Sequence, residues 1–133
     1  MSAPLLELRD LAFGYPGRDS ILCGASLALA AGDRVGLTGS NGAGKSTLLH
    51  LAVGLFKPQS GDVLVEGRVC RSESEFIAAR QVIGLLFQNS DDQLFCTTVE
   101  EDLAFGPFNL GLSRTEVDQR VRDTLEQLGI TSL

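Results

Sequence analysis

Leu6 and Leu8 alternate with Glu7 and Arg9, the period-two pattern of a strand with one buried face. The phase slips at Asp10, after which Leu11, Phe13 and Tyr15 share a face, so a bulge or bend is expected there. Gly14 and Pro16-Gly17 close the strand with turn chemistry. A second strand is predicted over Ile21 to Ala28, then a tight turn at Ala31-Gly32-Asp33 and a short apolar strand at Val35-Gly36-Leu37. The run from Lys45 to Val53 is apolar almost all round, which predicts a helix buried in the interior. An alternating strand follows around Val63 and Val65. Ser72 with Glu75 makes a capping box for a helix reaching about Gln81. Val82 to Phe87 is continuously apolar, the signature of a strand covered on both faces in a parallel sheet.

Past the polar stretch Gln88 to Gln93 the pattern turns helical. Thr97 or Thr98, with Glu100 or Glu101, caps a helix that Gly106-Pro107 is expected to end. Ser113 with Glu116 caps another. Val117, Val121, Leu125 and Leu128 then fall on one stripe, and Gly129 is the natural stop. The expected organisation is an α/β core over residues 1–96 and the beginning of a helical subdomain over residues 97–133.

Between the expected strand Val35–Leu37 and the helix after it lies Gly39-Ser40-Asn41-Gly42-Ala43-Gly44-Lys45-Ser46-Thr47. This contains G-x-x-x-x-G-K-[ST], the phosphate-binding P-loop, in its strand–loop–helix setting. Glycines let the loop curl so that successive amides face one anion, and the helix adds its unpaired N-terminal amides and dipole. Lys45 is placed to reach the β- and γ-phosphates, and the Ser46 hydroxyl to ligate Mg²⁺. The fold class this predicts is α/β, a P-loop NTPase core with N-terminal β strands and parallel strands around the P-loop helix.

Composition narrows the picture. A net charge of −6 argues against a broad nucleic-acid footprint. No apolar run nears the roughly 18 residues that span a bilayer, and no basic-then-apolar leader opens the chain, so a cytoplasmic protein is expected. Cys23, Cys70 and Cys96 lack metal-ligand spacing and read as reduced thiols. His50 lies one turn beyond the P-loop and reads as a packing residue rather than a catalytic one.

With those pieces placed, the sequence resembles the ATP-binding subunit of an ABC transporter along its whole length. The resemblance implies that Tyr15, in Phe13-Gly14-Tyr15-Pro16-Gly17, stacks on adenine, with the P-loop residues Gly39, Ser40, Asn41, Gly42, Ala43, Gly44, Lys45, Ser46 and Thr47 as the Walker A loop. It implies that Gln88 is the Q-loop glutamine, which contacts Mg²⁺ and attacking water and senses the membrane partner. Pro58 and Gly61 stand where the family has a P-x-x-G turn. Phe87 to Phe95, followed by Thr98 to Pro107, looks like the energy-coupling-factor branch, importers of cobalt, nickel and vitamins. ATP or ADP, Mg²⁺, a membrane-embedded transporter component, and a dimer with itself or a paralogous ATPase subunit follow as implied partners. The implied place is the cytoplasmic face of the membrane, and nucleic acid is not expected.

The match also has a departure. A Leu-Ser-Gly-Gly-Gln signature, a Walker B strand ending Asp-Glu and a switch histidine are expected further along, and the sequence reaches Leu133 before all three. The expectation is therefore the front half of an ATPase, its C-terminal half missing, which binds nucleotide without efficient hydrolysis. Two alternatives stay open: a P-loop small-molecule kinase, which would need lid arginines such as Arg114, Arg120 or Arg122, and a non-transport ABC-type ATPase or nucleotide-binding module.

Overall fold

The computed structural model describes residues 4–131. They divide at Leu85/Leu86 into two compact units, eleven residues before the boundary that composition suggests after Cys96.

The first unit is built on a four-stranded sheet of β1 (Leu6–Gly14), β2 (Ser20–Leu29), β3 (Ser60–Val65) and β4 (Arg68–Cys70). Their order is β2-β1-β3-β4, and every neighbouring pair is antiparallel. The first strand is thus central, with Leu8 opposite Leu27 on one flank and Val63 on the other. The phase slip at Asp10 is a true irregularity. Asp10 has φ 48°, the register shifts between Leu8 and Leu11, and its displaced amide donates to Ser26 Oγ on β2 at 2.9 Å. A local kink in the central strand is thereby satisfied from its neighbour.

Helices α1 (Lys45–Ala52) and α2 (Glu73–Ala79) complete this unit. Leu48, Leu51 and Ala52 of α1 and Phe76 and Ala79 of α2 join Leu8, Leu11, Phe13, Leu22, Val63, Val65 and Cys70 in one buried cluster. The α1 helix is less enclosed than its composition suggests: Leu49 is 43% exposed and Ser46 is exposed. Its buried stripe is enough to seat it on the sheet, and one apolar side chain facing outward is ordinary.

Two expected strands do not form. Neither Val35–Leu37 nor Val82–Phe87 has strand structure, and several of their side chains lie open, with Val35 at 55%, Val82 at 60% and Leu86 at 78% exposure, while Ile83 packs against the core. The physical reason is the ladder. A parallel strand exists only through hydrogen bonds to neighbours, and the sheet among the described residues pairs β1 to β4 alone.

The second unit holds a short 3₁₀ turn (Ser90–Gln93), α3 (Val99–Asn109) and α4 (Arg114–Leu128). α3 and α4 pack on each other, with Val117 fully buried. The stripe expected on α4 is only partly realised, since Leu128 is 62% exposed. All three long capping boxes are present: Ser72 with Glu75, Thr98 with Glu101, and Ser113 with Glu116. Pro107 does not stop α3, which runs on to Asn109. Pro107 has no N–H for the Leu103 carbonyl and its ring crowds that turn. Gly106 before it, however, carries no Cβ to clash with the ring, and the helix continues with the Leu110 amide donating to the Gly106 carbonyl at 3.1 Å. Gly111, at φ 76°, turns the chain instead.

Candidate functional site

The P-loop begins where the open segment 33–38 meets Gly39 and ends in the first turn of α1. Three of its glycines have positive φ: Gly39 at 155°, Gly42 at 82° and Gly44 at 93°. Gly44 is the N-cap of α1 in the left-handed conformation, and no side chain caps the helix there. A helix start without a side-chain acceptor leaves amide donors and the positive dipole end available to an anion. Space as well as φ demands glycine at this point, because a Cβ on Gly44 would stand 2.6 Å from Ile21 Cγ2 and 3.0 Å from Leu22 Cδ2. The close approach seats the helix start against β2.

Lys45 is the first residue of α1 and folds back across the loop. Its Nζ donates to the carbonyls of Gly39 and Ser40, both at 2.8 Å. An ammonium has three donors, so this grip uses two and leaves a third. Ser40, Asn41, Gly42, Ala43 and Ser46 are exposed around it. The Ala43 amide closes a turn onto the Ser40 carbonyl at 3.2 Å. Ser46, second in the helix, offers its hydroxyl to solvent, a donor type suited to Mg²⁺.

Tyr15 follows β1 and sits in an aromatic bracket. Phe13 and Phe56 stack on each other at 5.4 Å between centroids, and Tyr15 meets both edge-on at 5.1 and 5.8 Å. His50 stands edge-on to Phe56 at 5.1 Å, in keeping with a packing role. The Tyr15 hydroxyl shares a 3.0 Å hydrogen bond with Oγ1 of Thr47, the third residue of α1. The structure thus brings Tyr15, the P-loop and Lys45 together in the first unit. Gln88 belongs to the second unit and is exposed at the start of a polar stretch, beside Phe87, whose amide donates to Gln93 Oε1 at 3.0 Å.

Two features escape sequence reading. The Tyr15–Thr47 bond spans 32 positions and leaves no local signal. Arg80 is equally unmarked by pattern. Its guanidinium donates to the carbonyls of Val53 at 2.9 Å and Gly54 at 3.3 Å, and pairs with Glu73 at 2.7 Å. A cation on the C-terminal carbonyls of α1 complements the negative end of the helix whose other end is the P-loop. Among the described residues no helix is long and apolar enough to cross a membrane.

A family model described as ABC transporter matches residues 22–133. The energy-coupling factor transporter ATP-binding protein EcfA of Methanothermobacter thermautotrophicus is 50% identical over 129 residues, covering 96% of this chain and 41% of that protein. Its namesake in Methanocaldococcus jannaschii is 42% identical over 127 residues, covering 95% of this chain and 46% of that protein. Among solved structures, cbiO1 from Clostridium perfringens, part of the ABC transporter complex cbiONQ, aligns with a TM-score of 0.84 at 32% identity, over 99% of this chain and 53% of that one. The chain spans about half the length of the curated relatives it matches.

Proposed function

The chain belongs to the ABC transporter family, and from that premise we propose that it is the nucleotide-binding part of an ATP-driven importer subunit of the energy-coupling-factor type. ATP with Mg²⁺ binds at Gly39 to Thr47. Backbone amides of the loop and of the first turn of α1 receive the phosphates, and Lys45 neutralises charge on the β- and γ-oxygens. Ser46 lends its hydroxyl to Mg²⁺. Tyr15 presents an aromatic face to adenine, and Gln88 is assigned the family's Q-loop role toward metal and water. Bound Mg²⁺ would offset phosphate charge and fix the orientation of the γ-phosphate.

The observation that carries this reading is the Lys45 ammonium, held 2.8 Å from two loop carbonyls at the uncapped start of an eight-residue helix. The grip fixes the ammonium over the loop while a third donor is left for a phosphate oxygen.

In the whole protein we place two such subunits, identical or paralogous, on the cytoplasmic side of a membrane-embedded component. The relatives' names, ATP-binding proteins of energy-coupling factor transporters, and the cbiO1 neighbour's place in an ABC transporter complex support a transporter partner. The pairing of subunits and a metal ion or vitamin as cargo are part of the proposal. Binding rather than turnover is expected of these 133 residues, since neither the family's signature nor its Walker B carboxylates occur in this sequence. The kinase alternative gains no support: Arg114 pairs with Asp118 at 3.4 Å and Arg122 bonds Gln119 at 3.1 Å, both on their own helix.

Isothermal titration with MgATP tests the proposal. The protein should bind, and Lys45→Ala should weaken binding about tenfold or more, the loss of a charge-assisted hydrogen bond. Absence of binding by the folded protein, or equal affinity in the variant, overturns it.

A further inference from the structure

We propose that Tyr15 is a positioning residue for the phosphate site, acting through Thr47, in addition to any contact between its ring and a base. The proposal rests on the nucleotide reading above. Thr47 is 5% exposed, the buried polar residue of the core among the described residues. A buried hydroxyl must find a partner, and Tyr15 provides it at 3.0 Å. Thr47 lies in the first turn of α1, so its own backbone amide is one of the unpaired donors at the helix start. A bond from its side chain to Tyr15 ties that first turn, with its donors, to the end of β1.

Tyr15 is well built for that task. Its ring is held edge-on by Phe13 of the central strand and by Phe56, two rings themselves stacked at 5.4 Å with planes 8° apart. The hydroxyl therefore stands on a rigid mount anchored in the sheet. Gly44 presses the same turn against Ile21 and Leu22. One polar link and one close apolar contact together set where the loop's amides point.

A base-stacking role needs only a π-face, which phenylalanine supplies equally. A positioning role needs the hydroxyl. The two separate when the ligand has no base. Affinities of Mg-tripolyphosphate and MgATP should be measured for the wild-type protein, Tyr15→Phe, Thr47→Val, Thr47→Ser and the Tyr15→Phe/Thr47→Val pair, with circular dichroism confirming each fold. Tyr15→Phe should weaken both ligands by the same factor, about two- to tenfold, the worth of one ordinary hydrogen bond. Adding it to Thr47→Val should cause no further loss, the mark of two groups acting as a unit. Thr47→Ser, which keeps the hydroxyl, should recover most of the affinity that Thr47→Val loses. The inference is overturned if Tyr15→Phe weakens ATP alone, changes neither ligand, or adds fully to Thr47→Val. If the wild-type protein binds neither ligand, the phosphate site itself fails, and the inference with it.

Discussion

At Gly44 two constraints meet in one residue, a left-handed φ of 93° and a wall of β2 side chains. Gly42, at φ 82°, carries only the first, because nothing lies within 4 Å of where its Cβ would be. The pair makes a controlled comparison. Gly42→Ala should cost about 1–2 kcal/mol, the price of the left-handed backbone for an L-residue. Gly44→Ala should cost about 2–4 kcal/mol, since overpacking against Ile21 adds to the strain, and should also displace the start of α1. Thermal melts of the two variants check the ranking, and nucleotide titration should show the larger loss in Gly44→Ala. Equal melts would mean that the contact with Ile21 relaxes without penalty. The glycines of the loop were legible in the sequence because their spacing is a local code. The wall that Gly44 meets was not, since Ile21 and Leu22 lie more than twenty positions away.

Helices α2, α3 and α4 begin with matched signals of one kind. The Glu101 carboxylate accepts from Thr97 Oγ1 at 2.6 Å and from the Thr97 and Thr98 amides at 3.2 Å. Those donors hold its carboxyl below the ordinary glutamate range, the Thr97 hydroxyl most of all. Glu116 is lowered likewise by Ser113, and Glu75 by the backbone amide of Ser72. A depressed folded-state pKa contributes stability above the unfolded value of about 4.3 and loses it as pH falls through the folded value. Helical ellipticity should therefore fall on acidification below about pH 4.5, and Glu101→Gln, which cannot gain a proton there, should flatten that part of the titration. An unchanged profile in the variant would remove the box from the explanation. All three boxes could be read from sequence, because a cap and its partner stand three residues apart. Val35–Leu37 and Val82–Phe87 were misread because a parallel strand is defined by what lies beside it. Pro107 was misread as a stop because Gly106 before it has no Cβ to clash with the proline ring.

Across the whole molecule, the stretch near Leu85/Leu86 joins two units and has no regular structure from Ile83 to Phe87. Val82, Leu86 and Phe87 there are exposed. Exposed irregular backbone is where proteases act first. Brief digestion with chymotrypsin should cut beside Leu86 or Phe87 before it cuts β1 or α1, and mass spectrometry would identify the site. First cuts inside the sheet would show that the first unit is the weaker one. Chemistry at this scale was only partly legible: the P-loop announced phosphate, whereas the bracket that steadies it depends on Phe13, Tyr15 and Phe56 converging from distant positions.

The sheet order has a consequence for anyone who shortens this protein. Since β1 lies between β2 and β3, the first strand of the sheet is the spine on which both later strands hang. A version begun at Leu22 would keep the whole phosphate loop yet discard that spine. Its two flanking strands would share no common neighbour, and the loop would be presented by a sheet with its middle removed.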